Sequence, residues 1–107
     1  MIVKNNDVKL SDLGSGVSRK ILAHVTNVMM VEVNFIKGAV GEIHAHVHEQ
    51  ISYIIKGSFQ LEIEGKKEII KAGDTFYIKQ NELHGVTALE DSTILDVFTP
   101  QREDFLK

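Results

Sequence analysis

Apolar and polar residues alternate at every second position over most of this chain, the period of a strand with one packed face and one wet face. The cleanest case is 58–64, where Phe59, Leu61 and Ile63 are set against Gln60, Glu62 and Glu64. Residues 28–36 repeat it, with Met29, Val31, Val33 and Phe35 on one face and Val28, Met30, Glu32 and Asn34 on the other. The same reading gives strands at 17–26, 51–55, 67–70, 75–78, 85–89 and 93–99. Turns separate them at Gly14-Ser15-Gly16, Gly38 and Gly41, Lys56-Gly57, Gly65-Lys66 and Ala72-Gly73-Asp74. Pro100 stops the last strand, because it has no N–H to give a ladder. Only 102–107 reads as a helical turn. Many short strands with regular turn signals predict an all-β antiparallel sandwich or barrel in a single domain. Residues 1–15, with Val3, Val8, Leu10 and Leu13 as anchors, form an extended arm or edge strand of it, and 16–107 the barrel.

One segment departs from plain alternation. Residues 38–57 begin and end in glycine and carry His44, His46 and His48 at every second position, three of the five histidines in the chain. Read as one extended stretch, it projects all three imidazoles from one face. Two imidazoles at i and i+2 can reach a single divalent ion, and Gln50 adds an amide oxygen at the same parity. The isolated His24 lies opposite Val17, Ile21, Ala23 and Val25 and reads as a strand-pair or subunit contact.

Composition narrows the chemistry. There is no cysteine, so disulfides, thiolate catalysis and sulfur-ligated zinc or iron are excluded, and any metal needs nitrogen and oxygen ligands. A net charge of −3, from 12 basic and 15 acidic residues with no basic run, offers no footprint for nucleic acid. No apolar stretch has the length of a bilayer span, and the N-terminus lacks a signal-peptide core, so a soluble cytoplasmic protein is expected. At 107 residues the chain supports one core.

Two spacings resemble the cupin superfamily. Its first motif, Gly-x5-His-x-His-x3,4-Glu-x6-Gly, is matched by Gly38, His44, His46, Gln50 and Gly57, with Gln50 where glutamate is usual. Its second, Gly-x5-Pro-x-Gly-x2-His-x3-Asn, is matched by Gly73 and His84, with Lys79, Asn81 and Ala88 replacing proline, glycine and asparagine. Asparagine at 81 is a sensible replacement, since it enters the left-handed region more readily than other non-glycine residues. The resemblance implies a double-stranded β-helix, a jelly-roll barrel, holding one divalent transition metal (Ni, Zn, Fe, Mn or Co) on His44, His46, Gln50 and His84. His48 would need a third rung of the same strand and is expected at the rim.

Within the superfamily the His-x-His-x-His-Glu-Gln run and the tail from Asp96 to Phe105 are similar to the small KdgF-like cupins, linked to pectin and alginate breakdown. That group opens 4,5-unsaturated monouronates to their keto form. The likeness implies that Asp96 moves a proton, that Arg102 clamps the uronate carboxylate and that Phe98 contacts substrate. Against it stand Asp96 as a strand-edge carboxylate, Arg102 paired with Glu103 or Asp104 on the surface, and Phe98, Tyr53 and Tyr77 as packing residues. It also implies a homodimer, for which exposed strand edges offer a seam. A non-catalytic sugar- or anion-binding cupin and an iron-dependent dioxygenase are the alternative functions.

Overall fold

The computed structural model describes all residues from 1 to 107. Ten strands follow one another: β1 Ser11–Gly14, β2 Val17–Val25, β3 Val28–Phe35, β4 Val40–His44, β5 Glu49–Lys56, β6 Ser58–Ile63, β7 Lys66–Lys71, β8 Thr75–Ile78, β9 His84–Ala88 and β10 Ser92–Thr99. The helical content is two 3-10 turns, Asn5–Asp7 and Glu103–Leu106, the second where the sequence placed its helical turn. Every strand pairing is antiparallel. One sheet has the order β1-β2-β3-β10-β5-β8 and the other β4-β9-β6-β7, the two halves of a double-stranded β-helix. The arm expected at 1–15 joins this barrel, because β1 pairs with β2 across the Gly14–Gly16 turn.

The alternating faces fix what points inward. On the six-stranded sheet, cross-strand register aligns Met29, Phe98, Gln50 and Ile78 in one rung and Val31, Asp96, Ser52 and Phe76 in the next. Met29, Val31, Ile54, Ile78 and Phe59 are shut off from solvent. Each such side chain contributes about 1.5–3 kcal/mol on leaving water. The Phe35 and Phe59 rings meet edge to face at 5.1 Å, joining the two sheets. Met29, Val31 and Phe98 form a second apolar cluster. The interior is therefore apolar except around Gln50 and Ser52 of β5, Asp96 of β10, His84 of β9, and the buried His46 and Arg102 beside them.

Three sequence expectations are corrected here. The stretch 38–57 is not one strand: β4 ends at His44 and β5 starts at Glu49, with a turn between. The β6–β7 hairpin turns on Glu64 and Gly65, both at positive φ, and not on Gly65-Lys66. Tyr53 and Tyr77 do not pack inside; both are about half exposed, at 47% and 50%, on the outer face of the six-stranded sheet.

Candidate metal centre

β4 and β9 pair so that His44 and His84 are direct cross-strand partners, and their rings lie 4.5 Å apart. Gly85 makes this approach possible: a Cβ there would meet the Gly41 carbonyl at 2.8 Å and the Ile43 side chain at 2.7 Å. His46 enters from the turn after β4, its ring 5.4 Å from that of His44 and 4.8 Å from that of His84. The two motifs are tied by the backbone, since the Asn81 N–H donates to the His46 carbonyl at 2.8 Å. Asn81 sits at φ 61°, the left-handed position its replacement of glycine required.

Each ring is held by a peptide oxygen. The Nδ1 atoms of His44, His46 and His84 lie 2.8, 3.0 and 2.9 Å from the carbonyls of Glu42, His48 and Glu82. A carbonyl can only accept, so each Nδ1 carries a proton, and in the neutral ring each Nε2 keeps its lone pair. One ring nitrogen from each histidine lies within 4.8 Å of the others. Two bonds of about 2.1 Å to a common ion span at most about 4.2 Å, so a small rotation of the rings closes the set.

Gln50 completes the donors and supplies a test of fit. Its Oε1 lies 3.1 Å from His46 Nε2, while its Nε2 donates to Asp96 Oδ1 at 3.1 Å and to Ser52 Oγ at 2.9 Å. Two lone pairs therefore face each other inside the barrel, an arrangement that repels unless a cation lies beside both. A proton is disfavoured there. Burial, and then the positive charge of Arg102, push the His46 pKa down. Burial pushes that of His84 down to about 4. Three imidazoles and an amide oxygen suit a divalent transition ion and leave no thiolate or softer donor.

The predicted catalytic residues line the same space. Asp96 is not at a strand edge: β10 runs between β3 and β5 at the centre of its sheet. Ser52, its cross-strand partner, donates to Asp96 Oδ1 at 2.6 Å. Burial pushes the Asp96 carboxyl up to about 6, against the hydrogen bonds of Ser52 and Gln50 and the charge of Arg102. Arg102 makes the pair with Asp104 that one sequence reading expected, but from a buried position and not on the surface. It grips Asp104 side-on, Nε to Oδ1 at 3.1 Å and Nη2 to Oδ2 at 2.9 Å, yet is buried beneath the rings of Phe98 and Phe105. Phe98 is a core residue whose edge backs His46 at 5.6 Å, and it also borders the cavity.

His44, His84, Gln50, Asp96 and Arg102 share the wall of one cavity of about 170 Å³. That is well under the roughly 300–1,000 Å³ of a drug-sized pocket. Arg19 of β2 also faces it and was not singled out from the sequence, although it shares parity with Val17 and Ile21. Ser52, fully buried, was missed for lack of any motif. His48 stays outside the cluster, with its ring 5.5 Å from that of His46, and His24 contacts Gln101 Oε1 at 2.9 Å.

Comparison with known proteins agrees with this architecture. Residues 31–98 match the model of the Cupin domain family. The chain is 45% identical over 104 residues to the pectin degradation protein KdgF of Dickeya dadantii, covering 95% of this chain and 94% of the relative. Among solved structures, KdgF from a Halomonas species superposes with a TM-score of 0.94 at 40% identity, covering 98% of this chain and 97% of that one. An RmlC-like cupin from Shewanella frigidimarina does so with a TM-score of 0.94 at 34% identity, covering 97% and 94%. A three-histidine cage joined by the two cupin spacings, on a jelly roll matched end to end by these relatives, makes the chain a cupin of the small KdgF-like kind.

Proposed function

We propose that the protein is a metal-dependent enzyme of pectin or alginate breakdown that converts a 4,5-unsaturated monouronate from its ring form to the open 5-keto form. The observation that carries this reading is the placing of Asp96, with a carboxyl pKa pushed up to about 6, beside the three-histidine cluster and in one small cavity with Arg102. The KdgF proteins of Dickeya and Halomonas support it as relatives. The reaction is an isomerisation. The C1 hydroxyl loses a proton, C1–O5 breaks with its electron pair going to O5, and the resulting C5 enolate takes a proton at C4.

His44, His46 and His84 through Nε2, and Gln50 through Oε1, would hold the ion. A divalent ion supplies Lewis acidity toward substrate oxygens. Gln50, being neutral, leaves more of that positive charge uncompensated than a glutamate would. Asp96 is the proton carrier: a carboxyl titrating near neutrality can both accept from the hydroxyl and return the proton to carbon. Ser52 and Gln50 fix its Oδ1, leaving Oδ2 for the transfer. Arg102 holds the substrate carboxylate with the guanidinium edge that Asp104 does not occupy. Phe98 and Phe76 keep water away from the enolate.

Metal-loaded protein is to be mixed with unsaturated galacturonate and the loss of conjugated absorbance followed. Acceleration over buffer is expected, and none with Ni, Zn, Fe, Mn or Co would remove this reading. Uronate binding without turnover would make the protein a carrier.

The same proposal includes a cytoplasmic homodimer, with its seam on a sheet face and not on strand edges. The outer face of the six-stranded sheet carries Met30, Val97, Ile51 and Tyr77 in one rung and Leu95 beside Tyr53 in the next. Such a continuous apolar patch on a soluble chain suits burial against its own copy about a two-fold axis.

A further inference from the structure

Arg19 sits in the middle of β2, opposite Val33 of β3 and Ser11 of β1, with its side chain on the cavity side. Its guanidinium carbon lies 3.8 Å from the centroid of Phe105, and that of Arg102 lies 4.2 Å from the same ring. The two cations thus share one aromatic neighbour and open onto one space. Their partners differ. Arg102 is engaged by Asp104 through two charge-assisted hydrogen bonds, the one ion pair in the molecule. Arg19 has no ion pair: Asp104 acts on it only at longer range, and its Nε is buried without a hydrogen-bond partner.

A buried donor left unmatched is unfavourable, and stacking on Phe105 leaves Nε unsatisfied. Two guanidiniums line the cavity against the single carboxyl of Asp96, and Asp104, which pairs with Arg102, lies outside its wall, so the space has room for an anion. A planar carboxylate fits the free fork of a guanidinium, which lysine cannot reproduce.

We propose that Arg19 is a second recognition residue of this cavity, gripping together with Arg102 the single carboxylate of a monosaccharide acid, so that the site selects sugar acids over neutral sugars of the same shape. This rests on the proposed uronate chemistry for the identity of the acid, but its geometry is independent of turnover. Arg19 is a specificity residue and takes no part in moving the proton.

The test uses metal-loaded full-length protein, the wild type against Arg19→Gln and Arg19→Lys, with galacturonate and galactose as probes in calorimetry and unsaturated galacturonate in kinetics. Loss of one charge-assisted contact lowers affinity roughly 10- to 100-fold. Galacturonate binding is expected to weaken by that amount in Arg19→Gln, less in Arg19→Lys, with galactose binding unchanged. KM should rise by a similar factor while kcat stays within a few fold. Melting temperatures of the variants show whether each is folded, and Arg19→Lys retains the stem and the charge over Phe105 if the glutamine variant is not.

A wild type that binds galacturonate no better than galactose, or a folded Arg19→Gln that keeps the full preference, overturns the assignment. A preference that depends on Arg19 without turnover of the unsaturated sugar upholds it while removing the proposed reaction. Turnover with an Arg19-independent preference does the reverse.

Discussion

Replacing Gln50 by glutamate, the residue usual at this place in cupins, should be unfavourable here for a reason visible in the hydrogen bonds. The Gln50 amide donates to Asp96 Oδ1 at 3.1 Å, and a glutamate would put a carboxylate oxygen against a carboxylate oxygen at that distance. Two full charges 3.1 Å apart repel by about 5 kcal/mol at an effective dielectric constant of 20. The pair avoids this by keeping one proton, held most cheaply by Asp96, already raised to about 6, where at pH 8 it costs roughly 3 kcal/mol. At pH 5, below that value, Asp96 already holds the proton and the cost nearly vanishes. The sign follows: a carboxyl raised in the folded state contributes stability at low pH that is lost as pH rises through the raised value. Metal-stripped Gln50→Glu, measured by urea denaturation, should be less stable than wild type by about 3 kcal/mol at pH 8 and nearly equal to it at pH 5. Equal stability of the two proteins at pH 8 would show that Gln50 and Asp96 are not in contact as described.

Asp96→Asn keeps the shape of the carboxyl and removes its proton transfer, so kcat should fall by about 10²–10⁴ with KM within a few fold. Because burial raises Asp96 to about 6, the metal-free Asn variant should also gain up to about 3 kcal/mol at pH 8, a gain that disappears as pH falls below about 4. His84→Ala removes one of three converging nitrogens and should lower metal affinity by at least about 100-fold, read by chelator competition and elemental analysis. Gly57 has φ 80°, and a Cβ there would press on the Asp91 carbonyl at 2.7 Å. Gly57→Ala should therefore cost at least about 2 kcal/mol and lower the melting temperature by roughly 8 °C or more. Ile51→Lys, on the outer face, should shift sedimentation to a 12.0 kDa species, and an unchanged dimer would move the seam elsewhere.

The alternation of residues 28–36 and 58–64 made the fold legible, because a period of two decides at once which side is buried. His44 and His84 were legible through spacing, although 40 positions separate them, since the two turns that bring β4 and β9 together carry their own glycine signals. The histidine run was misread as one strand. Successive side chains of one parity stand about 6.6 Å apart along a strand, too far for three rings to share an ion. The chain turns after His44, which lets His46 reach back toward His44 and leaves His48 outside. Asp96 could not be placed from sequence because its strand, last in order, is inserted at the sheet centre, a fact of long-range pairing alone. Arg19 and Ser52 were missed because an arginine or a serine in an alternating strand has the composition of a wet face.

The hold of three main-chain oxygens on the imidazoles has a consequence for how the cage is filled and how it evolves. Rings already locked in tautomer and orientation need no refolding to receive an ion, so the empty and loaded forms should differ by small torsions rather than by a change of fold. Side-chain replacement cannot erase a peptide oxygen. Drift in the surrounding sequence therefore leaves the bare nitrogens where they are, and selection has only the fourth donor and the more distant charges with which to tune what the cage prefers.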